Sequence, residues 1–148
     1  MKFNTKTIHG GQKPEKVTGA LVPPIFQTST YAQSSLGADQ EYNYSRGANP
    51  TRAALEGSLA SIENGTHGFA FSSGLAAIDC VLRTLNPGDE VIAGNDLYGG
   101  TYRMFTRLFQ KYGLEFTYVD IVSGENISKE ITEKTKLVWL ETPTNPLM

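Results

Sequence analysis

The sequence predicts an α/β fold, with a mainly parallel sheet flanked by helices and preceded by an extended N-terminal arm. From residue 49 onward, short apolar runs alternate with segments of helical period, and brief polar connections separate them. Such alternation is typical of a sheet built from strand–helix–strand units. Residues 1–48 lack any lasting period and are rich in Gly, Pro, Thr, Ser and Gln. We therefore divide the chain into an arm, residues 1–48, and an α/β segment, residues 49–148.

Composition excludes several classes of function. The formal net charge of −2 and the scattered Lys and Arg residues give no basis for nucleic-acid binding. No apolar run approaches the ~20 residues that a membrane-spanning helix needs. The single cysteine, Cys80, excludes an internal disulfide framework and a Cys-based zinc site, and we predict no metal. These features predict a cytoplasmic protein.

The arm allows two interpretations. Val22-Pro23-Pro24-Ile25 must be extended, because each proline restricts the residue before it. The 48 residues of the arm, with so little periodicity, are either disordered or packed on another surface. Aromatic residues disfavour disorder, and the arm has several of them: Phe26, Tyr31, Tyr42 and Tyr44. We favour an arm that docks on a partner subunit.

The first predicted helix of the α/β segment begins with Asn49 as N-cap and Pro50 in the first helical position. Asn64-Gly65 is expected to end it. A strand over 68–71 then leads into a helix of about eleven residues that starts at Gly74. That helix aligns apolar residues on one face, namely Leu75, Ile78, Val81, Leu82 and Leu85. A turn over 86–89 follows.

The rest of the chain repeats the alternation. Strands are predicted over 90–93, 114–119 and 137–140, the last apolar on both faces. A polar loop over 96–101 leads into a helix that reaches Tyr112, and a short helix covers 126–134. The expected inward residues of these two helices are Phe105, Leu108, Phe109, Tyr112, Ile127 and Ile131.

The clearest candidate binding feature is Ser72-Ser73-Gly74-Leu75, where an apolar run meets a helix. The first backbone N–H groups of a helix have no partner within it, and they carry the positive end of its dipole. An anion, most plausibly a phosphate, can bind there. Small-residue turns of this kind are common, so a purely structural role stays open from the residues alone.

Three further polar clusters occur, and each alone is equally compatible with an ordinary loop or surface residue. Asp96-Leu97-Tyr98-Gly99-Gly100-Thr101 places an aromatic ring beside two glycines, which suits a flat ligand. Glu141-Thr142-Pro143-Thr144-Asn145-Pro146 presents Thr and Asn side chains from a loop fixed by prolines. In an extended segment, Tyr44 and Arg46 would offer a phenol and a guanidinium on one side.

The order of these clusters along the chain resembles the Cys/Met-metabolism family of pyridoxal-phosphate (PLP) enzymes. That family contains cystathionine γ-synthase, cystathionine γ-lyase, cystathionine β-lyase and methionine γ-lyase. The resemblance extends to the opening of the chain, through Thr7-Ile8-His9-Gly10-Gly11 and the run from Pro23 to Tyr31. It implies fold type I, with residues 49–148 forming the first half of the PLP-binding large domain.

The resemblance also implies roles for individual residues. Gly74 and Leu75 would bind the cofactor phosphate through their backbone amides, with Ser73 alongside. Tyr98 would stack on the pyridine ring and handle a proton of the substrate amine or leaving group. Asn145 would lie near the ring hydroxyl and the substrate carboxylate.

Tyr44 and Arg46 resemble a pair that reaches the phosphate in the neighbouring subunit. The resemblance therefore implies a homo-oligomer, a dimer of dimers, in which each site is completed by a second chain. The same role would explain why the arm lacks a period of its own.

The implied reaction makes or breaks a carbon–sulfur bond of a sulfur amino acid by γ-replacement or γ-elimination. Gly100 favours the cystathionine γ-synthase or γ-lyase type, because methionine γ-lyases resemble one another in having cysteine there; methionine γ-lyase and cystathionine β-lyase stay as alternatives.

No lysine lies in the family's Ser-x-Thr-Lys context. We therefore expect the Schiff-base lysine beyond residue 148, and the 148 residues alone to be inactive. The alternative from another class is a non-catalytic, truncated product. A nucleotide-binding module is disfavoured, since the chain has neither a Gly-x-Gly-x-x-Gly turn nor a Gly-Lys-Ser/Thr loop.

Overall fold

The computed structural model describes all 148 residues, which form two compact units, residues 1–70 and 71–148. The first unit contains two helices, α1 (Phe3–His9) and α2 (Pro50–Ile62), which contact each other. The sequence did not predict α1, because seven residues are too few to establish a helical period. The division of the chain at residue 48 stays a prediction.

Helix α2 begins as predicted. The Asn49 side chain accepts a hydrogen bond from the Thr51 N–H at 2.8 Å, and Pro50 is the first helical residue. The same asparagine donates to the Phe26 carbonyl at 3.2 Å, while the Phe26 N–H donates to the Thr51 hydroxyl at 2.9 Å. The N-terminus of α2 therefore anchors the middle of the arm. Asn64, in the left-handed region with φ of 55°, follows the helix where a stop was expected.

The strand predicted over 68–71 is wrong. These residues pair with no other strand, and Phe69 and Phe71 are exposed. The Ala70 N–H donates instead to the Glu56 carboxylate of α2 at 2.9 Å. An apolar run becomes a strand only where a neighbouring strand supplies its hydrogen bonds, and the sequence does not reveal whether one is present.

The second unit is an α/β layer, which confirms the predicted fold class. Its helices are α3 (Gly74–Leu82), α4 (Gly99–Arg107) and α5 (Gly124–Glu130), with a short 3-10 helix over Phe109–Tyr112. Its strands are β1 (Glu90–Gly94), β2 (Glu115–Val119) and β3 (Thr135–Trp139). All pairs are parallel, and the order is β2-β1-β3. The central strand β1 is buried along its whole length.

The core lies between this sheet and the helices. It is formed by the buried side chains of Leu82, Val91, Ala93, Phe105, Phe109 and Leu114. The Phe105 ring stacks on Phe116 at a centroid distance of 4.5 Å and meets the edge of Trp139 at 6.0 Å. The predicted inward positions of Phe105 and Phe109 are confirmed.

Several predicted details differ. The helix from Gly74 has nine residues, and α4 begins at Gly99, inside the predicted loop. Helix α5, predicted over 126–134, begins at Gly124 and ends before Ile131. The side chains of Ile131 and Tyr112 were expected to face inward, but both are exposed. Burial along the edge strand β3 alternates, and Val138 is exposed, because side chains alternate between the two faces of a strand and one face of β3 is not covered. No helix has both the length and the apolar character required to span a bilayer.

Candidate functional site

The N-terminus of α3 offers two free backbone donors. Ser73 is extended (φ −160°, ψ 161°), and its hydroxyl accepts a hydrogen bond from the Ala76 N–H at 3.1 Å. The N–H groups of Gly74 and Leu75 donate to no group of the chain. Gly74 is exposed, and a Cβ placed on it would meet nothing within 4 Å. The start of α3 therefore has two unpaired donors and open space at Gly74, and anion binding there stays a prediction.

The connections of the sheet bring two helix N-termini to one edge. Helix α4 follows the carboxyl end of β1 after a short loop. Helix α3 leads into the amino end of β1 through the turn at 86–89 and packs Ile78 and Leu82 on the core. Its N-terminus therefore points toward the carboxyl ends of the strands, where parallel sheets bind ligands. This edge carries Gly74, Tyr98 and the loop that follows β3.

Tyr98 is the N-cap residue of α4, and its side chain is 44% exposed. Its ring lies against the backbone of Gly100: a Cβ added there would come within 2.3 Å of the Tyr98 Cε1 atom. The two glycines predicted to allow a close approach are thus part of the helix itself, and one of them contacts the tyrosine rather than a ligand. The phenol ring therefore lies on Gly100 while the residue stays partly exposed.

Glu141 follows β3 and connects the edge of the sheet to the start of α4. Its Oε2 atom accepts a hydrogen bond from the Tyr98 N–H at 2.8 Å. Its Oε1 atom accepts from the Thr101 hydroxyl at 2.7 Å and from the Trp139 indole N–H at 3.1 Å. Burial raises the pKa of Glu141, but the hydrogen bonds from Tyr98, Thr101 and Trp139 together outweigh it and lower the pKa below its ordinary value.

Glu141 lies within the predicted polar cluster 141–146 but was not among the predicted site residues. A signal was available: a carboxylate directly after an apolar strand lies at the edge where helix N-termini present unpaired donors. The companion contact, the hydrogen bond from the Thr144 hydroxyl to the Asp96 carboxylate, was equally unforeseen. Both contacts join the loop after β3 to the loop after β1.

Asn145 lies in a turn of the loop after β3 and is exposed. Its side chain makes no hydrogen bond within the chain, so its amide is free to bind a ligand. The structure places Asn145, Tyr98 and the α3 N-terminus in the same unit, at the same edge of the sheet. Its predicted role near a cofactor stays a prediction.

Tyr44 and Arg46 belong to the first unit and contact each other. The Arg46 guanidinium carbon lies 4.8 Å from the centroid of the Tyr44 ring, a cation–π arrangement. The pair does not arise from an extended segment as predicted, because the N–H groups of Gly47 and Ala48 both donate to the Tyr44 carbonyl and form a turn. Arg46 is exposed and makes no ion pair. Its charge is available for an anion from outside the chain.

Comparison with known proteins gives one consistent result. Residues 4–148 match the family described as Cys/Met metabolism PLP-dependent enzyme. The chain is 50% identical over 146 residues to a probable cystathionine gamma-synthase of Herpetosiphon aurantiacus, covering 99% of this chain and 46% of that protein. It is 48% identical over 145 residues to a cystathionine beta-lyase of Coxiella burnetii, covering 97% of this chain and 38% of that protein.

A solved structure gives the same result for the fold. The crystal structure of cystathionine gamma-lyase from Lactobacillus plantarum, complexed with L-serine, superposes with a TM-score of 0.90 at 48% identity. The match covers 99% of this chain and 38% of that one. The chain thus spans less than half the length of these relatives, which have three different activity names at 48–50% identity.

Proposed function

Because the chain belongs to the family of Cys/Met metabolism PLP-dependent enzymes, we propose that it forms part of an enzyme that makes or breaks a carbon–sulfur bond of a sulfur amino acid. The proposed reaction is γ-replacement or γ-elimination, of the cystathionine γ-synthase or γ-lyase type. Cystathionine β-lyase and methionine γ-lyase activities are the alternatives within the family. The observation that carries the proposal is the pair of unpaired N–H groups at Gly74 and Leu75, within a family match over residues 4–148.

The residues of this chain fit PLP. The cofactor carries a phosphate, and α3 begins with two donors and open space at Gly74. The cofactor is also a flat aromatic ring, and Tyr98 presents a half-exposed phenol at the same edge of the sheet. We propose that Ser73, Gly74 and Leu75 bind the phosphate, that Tyr98 contacts the ring, and that Asn145 binds near the ring hydroxyl and the substrate carboxylate.

When bound, PLP supplies an electron sink that stabilises negative charge on the substrate carbon next to the amine. The protein's own residues then have separate tasks. Gly74 and Leu75 hold the phosphate end in place, and the Tyr98 hydroxyl holds or moves a proton at the substrate amine or the leaving group. The carboxylate of Glu141 takes no part in the proton transfer, because the three hydrogen bonds keep it ionised and occupied.

We propose a dimer of dimers in which Tyr44 and Arg46 reach the phosphate bound by a neighbouring subunit. The exposed Arg46 has no ion pair of its own, and phosphate is a suitable partner for a guanidinium. The arm also leaves large apolar side chains exposed, a sign of a contact surface: Phe3, Ile8, Val17, Leu21, Val22, Ile25 and Leu36.

Mixing two defective variants tests this arrangement. Arg46→Ala and Tyr98→Phe proteins, each of low activity, are mixed under conditions that exchange subunits. A hybrid dimer has one site with an intact Tyr98 and an intact Arg46 from the other chain, so activity should recover. Absence of recovery, with subunit exchange verified, contradicts the proposal that Arg46 acts across the interface.

We also propose that the 148 residues alone do not turn over substrate, and that the complete protein is cytoplasmic. Two lysines of the second unit, Lys134 and Lys136, lie at the amino end of β3, opposite the proposed site, and Lys134 pairs with Glu115 at 3.1 Å. Neither is placed to hold the cofactor covalently, and no lysine of the chain lies in the Ser-x-Thr-Lys context of the family. Turnover of cystathionine by the 148 residues incubated with PLP would contradict this.

The activity itself is tested on the full-length, PLP-loaded protein. Cystathionine is supplied and the thiol product is identified: cysteine indicates cleavage on the γ side and homocysteine cleavage on the β side. Formation of cystathionine from cysteine and an activated homoserine indicates the synthase reaction. A protein that neither forms nor consumes cystathionine or methionine would overturn the proposed function.

A further inference from the structure

We propose that Glu141 is a positioning residue for Tyr98: its carboxylate holds the backbone of Tyr98 so that the phenol stays at the carboxyl edge of the sheet. The inference rests on the proposed function, because it takes Tyr98 to act on the substrate. The carboxylate of Glu141 accepts hydrogen bonds from three protein donors. Its effect passes through one hydrogen bond, from the Tyr98 N–H to Oε2 at 2.8 Å.

The two oxygens of Glu141 have different partners. Oε1 accepts from the Thr101 hydroxyl at 2.7 Å and the Trp139 indole at 3.1 Å, and so ties the carboxylate to buried structure. Thr101 is fully buried in α4, and Trp139 packs against the core. Oε2 accepts only from Tyr98. One oxygen therefore anchors the carboxylate, and the other positions the tyrosine.

The start of α4 depends on this carboxylate. The Tyr98 side chain provides no cap, and the first turn of α4 contains no acidic residue. The unpaired N–H groups and the positive dipole end of a helix favour a nearby anion, which here comes from the loop after β3. Forty-three residues separate the two partners in sequence. The contact therefore fixes Tyr98 relative to the sheet edge as well as relative to its own helix.

A second contact completes the restraint. The Tyr98 ring lies on Gly100, where a Cβ would come within 2.3 Å of Cε1. With its N–H held by Glu141 and its ring held by Gly100, Tyr98 has little freedom to move its hydroxyl. Misplacement of a catalytic group by about 1 Å can cost on the order of 100-fold in rate.

The variant Glu141→Gln tests the inference in the full-length, PLP-loaded protein. Glutamine has one acceptor oxygen, which is expected to keep the two donors at the Oε1 position and turn its amide toward the Tyr98 N–H. We expect kcat to fall about tenfold or more while the affinity for PLP changes less than twofold. Glu125→Gln is the matched control, because Glu125 is an exposed glutamate in the first turn of α5 and should leave both quantities unchanged.

Amide hydrogen exchange of the same protein in its apo form tests the inference without the cofactor. The Tyr98 N–H has Glu141 as its only partner, so its exchange should accelerate about tenfold in Glu141→Gln and stay unchanged in Glu125→Gln. Unchanged exchange at Tyr98 in Glu141→Gln would overturn the inference, whatever the kinetics show.

A double-mutant cycle with Tyr98→Phe separates the inference from the proposed function. If Glu141 acts through the Tyr98 hydroxyl, Glu141→Gln lowers kcat about tenfold or more in the wild-type background. In the Tyr98→Phe background, the same substitution lowers kcat by less than twofold. An equal loss in both backgrounds overturns the positioning role and leaves the role of Tyr98 intact. If Tyr98→Phe alone has wild-type kcat, the proposed role of Tyr98 fails, and with it the inference.

The variant Glu141→Asp covers the case in which Glu141→Gln does not fold. It keeps both acceptor oxygens on a shorter side chain, so it should retain more kcat than Glu141→Gln. The same comparison in the Tyr98→Phe background then applies, with equal losses in both backgrounds again overturning the inference.

Discussion

The ring of Tyr98 rests on the backbone of Gly100, and the space between them leaves no room for a Cβ, which would lie 2.3 Å from Cε1. Tyr98 and Gly100 are thus a matched pair at the start of α4. The neighbouring Gly99 differs, because a Cβ there would meet only the mobile end of the Arg103 side chain at 3.3 Å.

Gly100→Ala should therefore displace the Tyr98 ring. We expect kcat of the PLP-loaded enzyme to fall about tenfold, because the phenol leaves its position, while the helix itself is not weakened, since Ala favours helices over Gly. Steady-state kinetics and circular dichroism measure the two effects. Gly99→Ala is the control and should retain kcat within about twofold. Equal kcat values for the two variants would show that the ring contact is unimportant.

Gly74→Pro should remove one phosphate donor without disturbing α3. Proline is well suited to the first helical position, and Ser73 before it is already extended, as a residue preceding proline must be. A hydrogen bond to a charged group is worth about 1.5–3 kcal/mol, so PLP affinity should fall roughly tenfold to a hundredfold. Titration of the apo enzyme with PLP measures it. Gly74→Ala keeps the N–H and should bind PLP normally; equal weakening in both variants would argue against a role for this N–H.

Glu90→Gln should change the acid stability of the second unit. The buried Glu90 carboxylate accepts hydrogen bonds from the hydroxyls of Thr135, Thr117 and Thr132 at 2.6, 2.7 and 2.8 Å. The bond from Thr135, followed by that from Thr117, lowers the pKa of Glu90. The Glu90 carboxylate therefore takes up a proton more readily in the unfolded chain than in the folded chain. The stabilisation that Glu90 provides is present at neutral pH. It is lost as the pH falls below about 4.5 and through the lower pKa of Glu90 in the folded state.

We expect Glu90→Gln to cost about 1 kcal/mol at pH 7 and to flatten the loss of stability below pH 4.5. Urea denaturation at a series of pH values measures both. Glu115→Gln on the paired strand is the control, because its ion pair with Lys134 at 3.1 Å is exposed and should contribute 1 kcal/mol or less. If the free energy of unfolding of Glu90→Gln falls below pH 4.5 as steeply as that of the wild type, the prediction is contradicted.

Tyr118→Phe should stabilise the protein slightly. The Tyr118 hydroxyl is buried and has no hydrogen-bond partner, and burial, with a smaller contribution from Tyr102, raises its pKa to about 12. Removing an unsatisfied hydroxyl avoids a desolvation cost, so the free energy of unfolding should rise by up to about 1 kcal/mol. Thermal unfolding at pH 7 measures this. Tyr102→Phe, whose ring is half exposed, should have little effect; a loss of 1 kcal/mol in Tyr118→Phe would reveal a partner for the hydroxyl.

Local signals in the sequence predicted much of the fold. Asn49-Pro50, Asn64-Gly65 and the turn at 86–89 predicted where elements begin and end, and the structure confirms them, because caps and turns depend on neighbouring residues only. The errors occur where an element depends on distant residues. The run 68–71 has strand composition but no strand beside it, and Ile131 has helical spacing but lies beyond the end of α5.

In the candidate site, too, the features set by neighbouring residues were predictable and those set by distant residues were not. The family, the fold class and the helix start that leaves donors free at Gly74 and Leu75 were predictable from the sequence, because ordered motifs and a helix start can be recognised within short segments. Three contacts became evident from the three-dimensional structure: Glu141 holds Tyr98, Gly100 supports its ring, and Glu90 accepts hydrogen bonds from three threonines. These contacts join residues brought together by strand order and helix packing, so the partner of each residue cannot be identified from its neighbours in the sequence.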